Sequence, residues 1–73
     1  MQTIIGSTGP IGTMLASNLT AFTQDIRLVS RNPVKVNPTD SLVNADLLNL
    51  SQTLNAVEGS SIVYFTAGLP LDT

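Results

Sequence analysis

The sequence predicts an α/β chain, and three observations predict it. Short apolar runs of strand type alternate with stretches of helical spacing, a glycine turn joins the first run to the first helix, and Gly, Pro and Asn punctuate the boundaries. Strands that alternate with helices pair in parallel through right-handed crossovers. The expected architecture is therefore a parallel sheet of about four strands with flanking helices.

Each element has its own local reason. Residues 2–5, Gln-Thr-Ile-Ile, are a β-rich run that stops at Gly6, as a buried strand feeding a tight turn does. From Ile11 the spacing changes: Ile11, Leu15, Leu19 and Phe22 recur with the period of a helix that buries one face, and Pro10 lies in its first turn, where a missing N–H costs nothing. Residues 26–30, Ile-Arg-Leu-Val-Ser, suit a second strand that Pro33 prevents from continuing. Residues 32–40 hold two prolines and no clear period, which predicts a loop with at most one helical turn. Residues 41–46, Ser-Leu-Val-Asn-Ala-Asp, form a weak third strand.

A second helix follows. Asn49 is placed to cap it, Gln52 to reach back as in a capping box, and Gly59 to end it, with Leu47, Leu50, Leu54 and Val57 as its apolar stripe. Residues 61–68, Ser-Ile-Val-Tyr-Phe-Thr-Ala-Gly, are the clearest strand. The near-continuous apolar character of the first and fourth strands suits a sheet covered on both faces.

Composition narrows the function. With 73 residues the chain is at most one domain, and a chain of that size buries only about 60% of the surface its unfolded form exposes. It has no cysteine and no histidine, which excludes disulfides, thiolate metal sites, zinc chemistry and Ser-His-Asp catalysis. Three basic residues against five acidic ones, scattered singly, leave a net charge of −2 and no patch for a phosphate backbone, so nucleic acid is not an expected partner. No apolar run approaches the roughly 20 residues that span a bilayer, and Met-Gln-Thr-Ile-Ile lacks the basic start of a secretory signal, so the expected location is cytoplasmic and off the membrane. Charged residues make up only 11% of the chain, against about 25% in typical soluble domains. Either other protein covers much of this surface, or Ser, Thr and Asn carry it.

The glycines carry the functional signal. A helix N-terminus offers unpaired N–H groups and partial positive charge to a phosphate, provided that no side chain blocks the approach. Gly6 permits the sharp exit from the strand, Gly9 lets a diphosphate lie against the backbone, and Gly12 lets the helix pack close to the sheet. Ser7 and Thr8 offer hydroxyls to the same anion, and Pro10 and Ile11 complete the helix mouth. The same pattern also suits a plain strand-to-helix turn without a ligand. A Walker phosphate loop is excluded, because no Gly-Lys-Ser/Thr follows.

The spacing Gly6-x-x-Gly9-x-x-Gly12 resembles that of the extended and atypical short-chain dehydrogenase/reductases, the group of NAD(P)-dependent epimerases, dehydratases, reductases and NmrA-like sensors. Three further stretches resemble that family in order along the chain: Val-Ser-Arg-Asn-Pro at the end of the second strand, Asn-Ala-Asp-Leu-Leu-Asn with its Asp-Leu pair after the third, and residues 56–68 as its third helix and fourth strand. The resemblance implies a partial Rossmann fold, with its strands in the spatial order 3-2-1-4, and a nicotinamide dinucleotide cofactor. Ser30 and Arg31 fall where an acidic residue would bind the ribose of NAD, and an arginine there suits the 2′-phosphate of NADP, with NAD as the alternative cofactor. Asp46 and Leu47 match the pair that holds adenine; they equally suit a helix cap and plain core. Thr66, Ala67 and Gly68 match the segment that lines the cofactor's ribose.

In that family the catalytic Tyr-x-x-x-Lys lies beyond the stretch that residues 1–73 match. Tyr64 inside the fourth strand and Lys35 in a loop do not form that pair, so no catalytic residue and no metal ligand is expected here. Lys35 is surface or an auxiliary contact to a 2′-phosphate. Residues 1–73 are thus expected to be the N-terminal, truncated portion of an NAD(P)-binding domain, belonging to an oxidoreductase or epimerase whose small-molecule substrate binds elsewhere. The alternatives are an NmrA-like NADP sensor and a stand-alone nucleotide-binding module. A fourth strand without a neighbour would leave an apolar edge, which predicts self-association.

Overall fold

The computed structural model describes residues 1–46 and 48–66. Its elements are β1 (Gln2–Ile5), α1 (Pro10–Leu19), β2 (Ile26–Ser30), β3 (Ser41–Asn44), α2 (Leu50–Val57) and β4 (Ile62–Phe65). The strands form one parallel sheet, as the alternation of elements predicts, in the order β3-β2-β1-β4 that the resemblance implies. β3 is shorter than expected, because the chain turns after Asn44: the Ala45 amide still reaches the Ser30 carbonyl at 3.0 Å, and Asp46 already belongs to the approach to α2. β4 likewise begins at Ile62 rather than Ser61, and the expected residues 67 and 68 of that strand lie outside the described region.

The sheet separates two cores. Ile4, Ala16, Leu19, Ile26 and Leu28 are buried on the α1 side, with Leu15, Val36 and Tyr64 packed against them. Ile5, Val29, Ala45 and Ala56 are buried on the α2 side, beside Val43 and Val57. Alternate residues of β1 and β2 therefore serve opposite layers, as the pleat requires. Fully burying an Ile, Leu or Val contributes about 1.5–3 kcal/mol, so the two central strands carry most of the hydrophobic stabilisation. β4 departs from the expected cover on both faces: Ile62, Val63 and Phe65 are exposed.

Each helix seats small residues on the sheet together with only part of the apolar stripe that spacing marks. In α1 the buried residues are Gly12, Ala16 and Leu19, with Leu15 at the margin; Ile11 is exposed, and Phe22 lies past the end of the helix in solvent. In α2 the buried residue is Ala56, with the predicted Val57 packed beside it, while Leu50 and Leu54 face outward and Leu47 lies outside the described residues. The cause is the same in each case, since small residues let a helix axis come close to the sheet.

The connections are held by specific polar groups. Residues 31–40 contain no helix, as expected. The Asp40 carboxylate accepts from the amides of Val36 and Asn37 at 3.1 and 2.7 Å, and the Asn37 amide group donates to the Ala16 carbonyl at 3.0 Å, which ties this loop to α1. Asn49 caps α2 by accepting from the Gln52 amide at 3.1 Å. The capping box is displaced, because the Asn49 amide already donates to the Asp46 carbonyl; the Gln52 side chain accepts from the Asp46 amide instead, at 2.8 Å. At the other end of α2, Arg27 Nη1 donates to the carbonyls of Ala56 and Glu58 at 2.7 and 2.8 Å, and Gly59 reverses the chain with φ +81°. Among the described residues no helix is long and apolar enough to cross a membrane.

Candidate functional site

The turn between β1 and α1 sits at the carboxyl end of the central strands, and its glycines have different causes. Gly6 takes φ +88°, the left-handed region that favours glycine, and its amide and that of Ser7 both donate to the Val29 carbonyl, so the chain folds back over β2 at once. Gly12 is required by close approach. A Cβ there would stand 2.5 Å from the Gly6 carbonyl oxygen and 2.8 Å from the Ser7 Cα. The close contact is thus with the turn itself rather than with the body of the sheet.

Gly9 has neither cause. It caps α1 with an ordinary extended φ of −76°, and a Cβ would meet only the Gly6 carbonyl at 3.5 Å, an ordinary contact. The protein's own packing does not demand a glycine there. The space above Gly9 is left clear at the mouth of a helix, where a phosphate group needs to approach.

The donors around this space fit an anion. Pro10 removes one first-turn N–H, and among the described residues the amides of Ile11 and Gly12 have no acceptor. Ser7 is buried with its hydroxyl unpartnered, and so is Ser30 at the end of β2. Buried hydroxyls without partners are uncommon, since each forfeits a hydrogen bond. Thr8 is exposed beside them. Thr13, which the sequence reading did not single out, braces the turn by donating from Oγ1 to the Ser7 carbonyl at 3.0 Å. A pocket of about 290 Å³ opens next to the turn, lined by Ser7, Thr8, Thr13, Val34, Lys35 and Val36.

Other expected site residues fall around this centre. Thr66 locks the end of β4 to the turn: its amide donates to the Ile5 carbonyl at 2.9 Å, and its hydroxyl lies 2.7 Å from that carbonyl and 3.2 Å from that of Gly6. Arg31 is exposed just past β2, and its guanidinium makes no hydrogen bond or ion pair among the described residues. Its backbone is fixed by Asn44, whose side chain donates to the Arg31 carbonyl at 2.6 Å. Arg31 does not line the pocket, whereas Lys35 does, with Nζ 3.4 Å from the Pro38 carbonyl. Asp46 accepts from the Leu48 amide through Oδ1 at 2.9 Å, a local turn ahead of α2, whose cap is Asn49. Leu47, Ala67 and Gly68 lie outside the described residues. Tyr64 packs on the α1-side core and donates to Gln2 Oε1 at 3.0 Å, near the amino end of β1 and away from the turn.

No protein-family model matches the chain, and no curated protein matches it in sequence. Solved structures do match. Uronate dehydrogenase from Agrobacterium tumefaciens superposes with a TM-score of 0.80 at 20% identity, over 93% of this chain and 26% of that one. A short-chain dehydrogenase/reductase from Veillonella parvula, solved in complex with NADP, gives 0.72 at 22% identity over 88% of this chain and 33% of its own. An NADPH-dependent quinone oxidoreductase from Escherichia coli gives 0.73 at 24% identity over 89% and 26%. The fold is a Rossmann fold. The resemblance read from the four landmarks therefore extends to the backbone, and the glycine turn occupies the Rossmann position at the first strand-to-helix junction. The chain spans about a quarter to a third of the length of these Rossmann proteins.

Proposed function

We infer that the chain is the N-terminal, dinucleotide-binding portion of an NADP-preferring oxidoreductase or epimerase. The observation that carries this reading is the open Gly9 at the head of α1, with the Ile11 and Gly12 amides and the Ser7 hydroxyl lacking acceptors around it. A diphosphate would take its hydrogen bonds from those groups, aided by the positive end of the helix. The adenosine ribose would lie toward the end of β2, past Ser30, where Arg31 holds a guanidinium free to form a paired interaction with a 2′-phosphate. Lys35 in the adjoining pocket adds a second cation. Thr66, with Ala67 and Gly68, would line the cofactor's ribose, and Asp46 with Leu47 the adenine. Hydride chemistry would be supplied by the cofactor, and substrate by protein beyond these residues.

The structural neighbours support a nicotinamide cofactor without choosing between the two forms. The Veillonella protein was solved with NADP, and a mutant of the Agrobacterium enzyme with NAD. Equilibrium titration with NADP and NAD decides this. NADP should bind roughly tenfold or more tightly, the scale of one charge-assisted contact, and Arg31→Asp should erase the difference. Gly9→Ala should weaken both cofactors alike. Equal binding of NADP and NAD by the unmutated protein would overturn the role of Arg31, and unchanged binding by Gly9→Ala would overturn the diphosphate seat.

A further inference from the structure

The pocket beside the glycine turn has two walls that the sequence keeps apart: Ser7, Thr8 and Thr13 form one, and Val34, Lys35 and Val36 the other. The first wall belongs to the junction of β1 and α1. The second belongs to residues 31–40, which contain neither helix nor strand, so side chains must hold it in place. Asp40 and Asn37 do this. Asp40 is only 4% exposed, although Thr39 and Ser41 on either side of it face solvent. Its Oδ2 accepts from the amides of Val36 and Asn37, and its Oδ1 from the Asn37 side-chain amide at 3.2 Å. Burying a carboxylate is costly, and here the cost is offset by three donors that all belong to this one loop. Asn37 Nδ2 also reaches the Ala16 carbonyl of α1, and Val36 packs on the α1-side core, so the loop is clipped to the helix whose head carries the glycine turn. Lys35 stands at the mouth of the clip, and its Nζ rests 3.4 Å from the carbonyl of Pro38, a residue inside it.

We propose that Asn37 and Asp40 are positioning residues for cofactor selectivity: they hold Lys35 across the pocket from Ser7 and Thr8, where its ammonium meets a phosphate ester on the ribose of the dinucleotide. The inference rests on the cofactor reading above. A lysine ammonium is a point charge on a flexible stem, so what a phosphate gains from it depends on how firmly the backbone beneath it is fixed. The opposite wall is prepared for a ligand as well, since the buried Ser7 hydroxyl has no partner and a group bound in the pocket would supply one. Arg31 is independent of the clip, because its backbone is held by Asn44 instead. A dinucleotide without a 2′-phosphate gives the ammonium nothing to meet, so the clip acts on NADP and not on NAD.

Equilibrium titration of NADP and NAD into the full 73-residue chain tests it. Asn37→Ala removes the bond to α1 and one bond to the carboxylate, and leaves Asp40 its two backbone donors. It should weaken NADP about tenfold, the scale of one charge-assisted contact, and leave NAD unchanged. Lys35→Met should weaken NADP by a similar factor, and in that background Asn37→Ala should add nothing, because both act through one contact. Far-UV circular dichroism checks that the variants fold. Hydrogen exchange of the unmutated chain needs no variant: NADP should slow the amides of Val36 and Asn37 more than NAD does. Asn37→Ala weakening both dinucleotides alike, or weakening NADP as much without Lys35 as with it, would make the clip merely structural and overturn the proposal. Equal protection of those amides by the two dinucleotides would overturn it too. Loss of the NADP preference in Arg31→Asp with Asn37→Ala silent would sink this inference and leave the cofactor reading standing, whereas binding of neither dinucleotide by the unmutated chain would remove both.

Discussion

The stretch from β1 through α1 and the stretch from α2 through β4 are written alike, with an apolar strand and a helix carrying leucines at helical spacing, yet only the first closes around its apolar residues. In the first, Ile4, Ile5, Ala16 and Leu19 are buried and the helix head lies hard against the preceding turn. In the second, Leu50, Leu54, Val63 and Phe65 face solvent, and the helix is seated through Ala56. Apolar spacing marks residues that are able to be buried. What decides burial is where two backbones meet, and small residues mark those places.

The largest expected effect tests that statement at the closest meeting point. Gly12→Ala should stabilise α1 by about 1 kcal/mol if helix propensity governs. The structure predicts the opposite sign, because the new methyl would stand 2.5 Å from the Gly6 carbonyl oxygen and 2.8 Å from the Ser7 Cα, both backbone atoms with little freedom to yield. Forced overpacking of this kind costs about 1–3 kcal/mol or more, a large part of the roughly 4–11 kcal/mol that a chain of this length has available. Chemical denaturation should therefore show a clear loss for Gly12→Ala and a small change for Gly9→Ala. A stabilised Gly12→Ala would remove the claim that the helix head touches the turn.

The same contrast explains what was legible in the sequence. The glycine turn, the Asn49 cap and the position of Gly59 rest on local chemistry: a left-handed turn needs Gly6, and a helix end needs a side-chain acceptor. Those features are written in single residues. The buried faces of the helices are written there only in part, because spacing points rightly to Leu15, Leu19 and Val57 but also to Ile11, Leu50 and Leu54, which face solvent, while Gly12, Ala16 and Ala56 meet the sheet. For the candidate site, the donors Ser7 and Ser30 and the free Arg31 were readable from the strand ends, whereas Thr13 and Asn44, which hold the turn and the Arg31 backbone, act through contacts that fold-level distances create.

Arg27 gives an intermediate effect within the weaker half. In the sequence it is one member of an apolar strand, and in the structure its guanidinium crosses to the end of α2 and satisfies the carbonyls of Ala56 and Glu58. Last-turn carbonyls lack partners within their own helix, and a cation there also complements the helix dipole. Arg27→Met keeps the stem of the side chain and removes both hydrogen bonds. A loss of about 1–3 kcal/mol is expected in thermal or chemical unfolding. No loss would mean that α2 is held by Ala56 and Val57 packing alone.

The smallest expected effect discriminates most sharply between spacing and structure. Leu54 lies on the apolar stripe that spacing assigns to α2, and removing a buried leucine costs about 2–5 kcal/mol. In the structure it is 58% exposed, so Leu54→Ser should change stability by no more than about 0.5 kcal/mol. Ala56, two residues on and fully covered, should behave in the opposite way: Ala56→Leu adds volume beneath Val29 and Ala45 and should destabilise by about 1–3 kcal/mol. Measured together by urea denaturation at low protein concentration, the pair orders the two faces of α2. If Leu54→Ser cost more than Ala56→Leu, the leucine stripe would be the buried face after all, and the seating of α2 on the sheet would have to rotate to match.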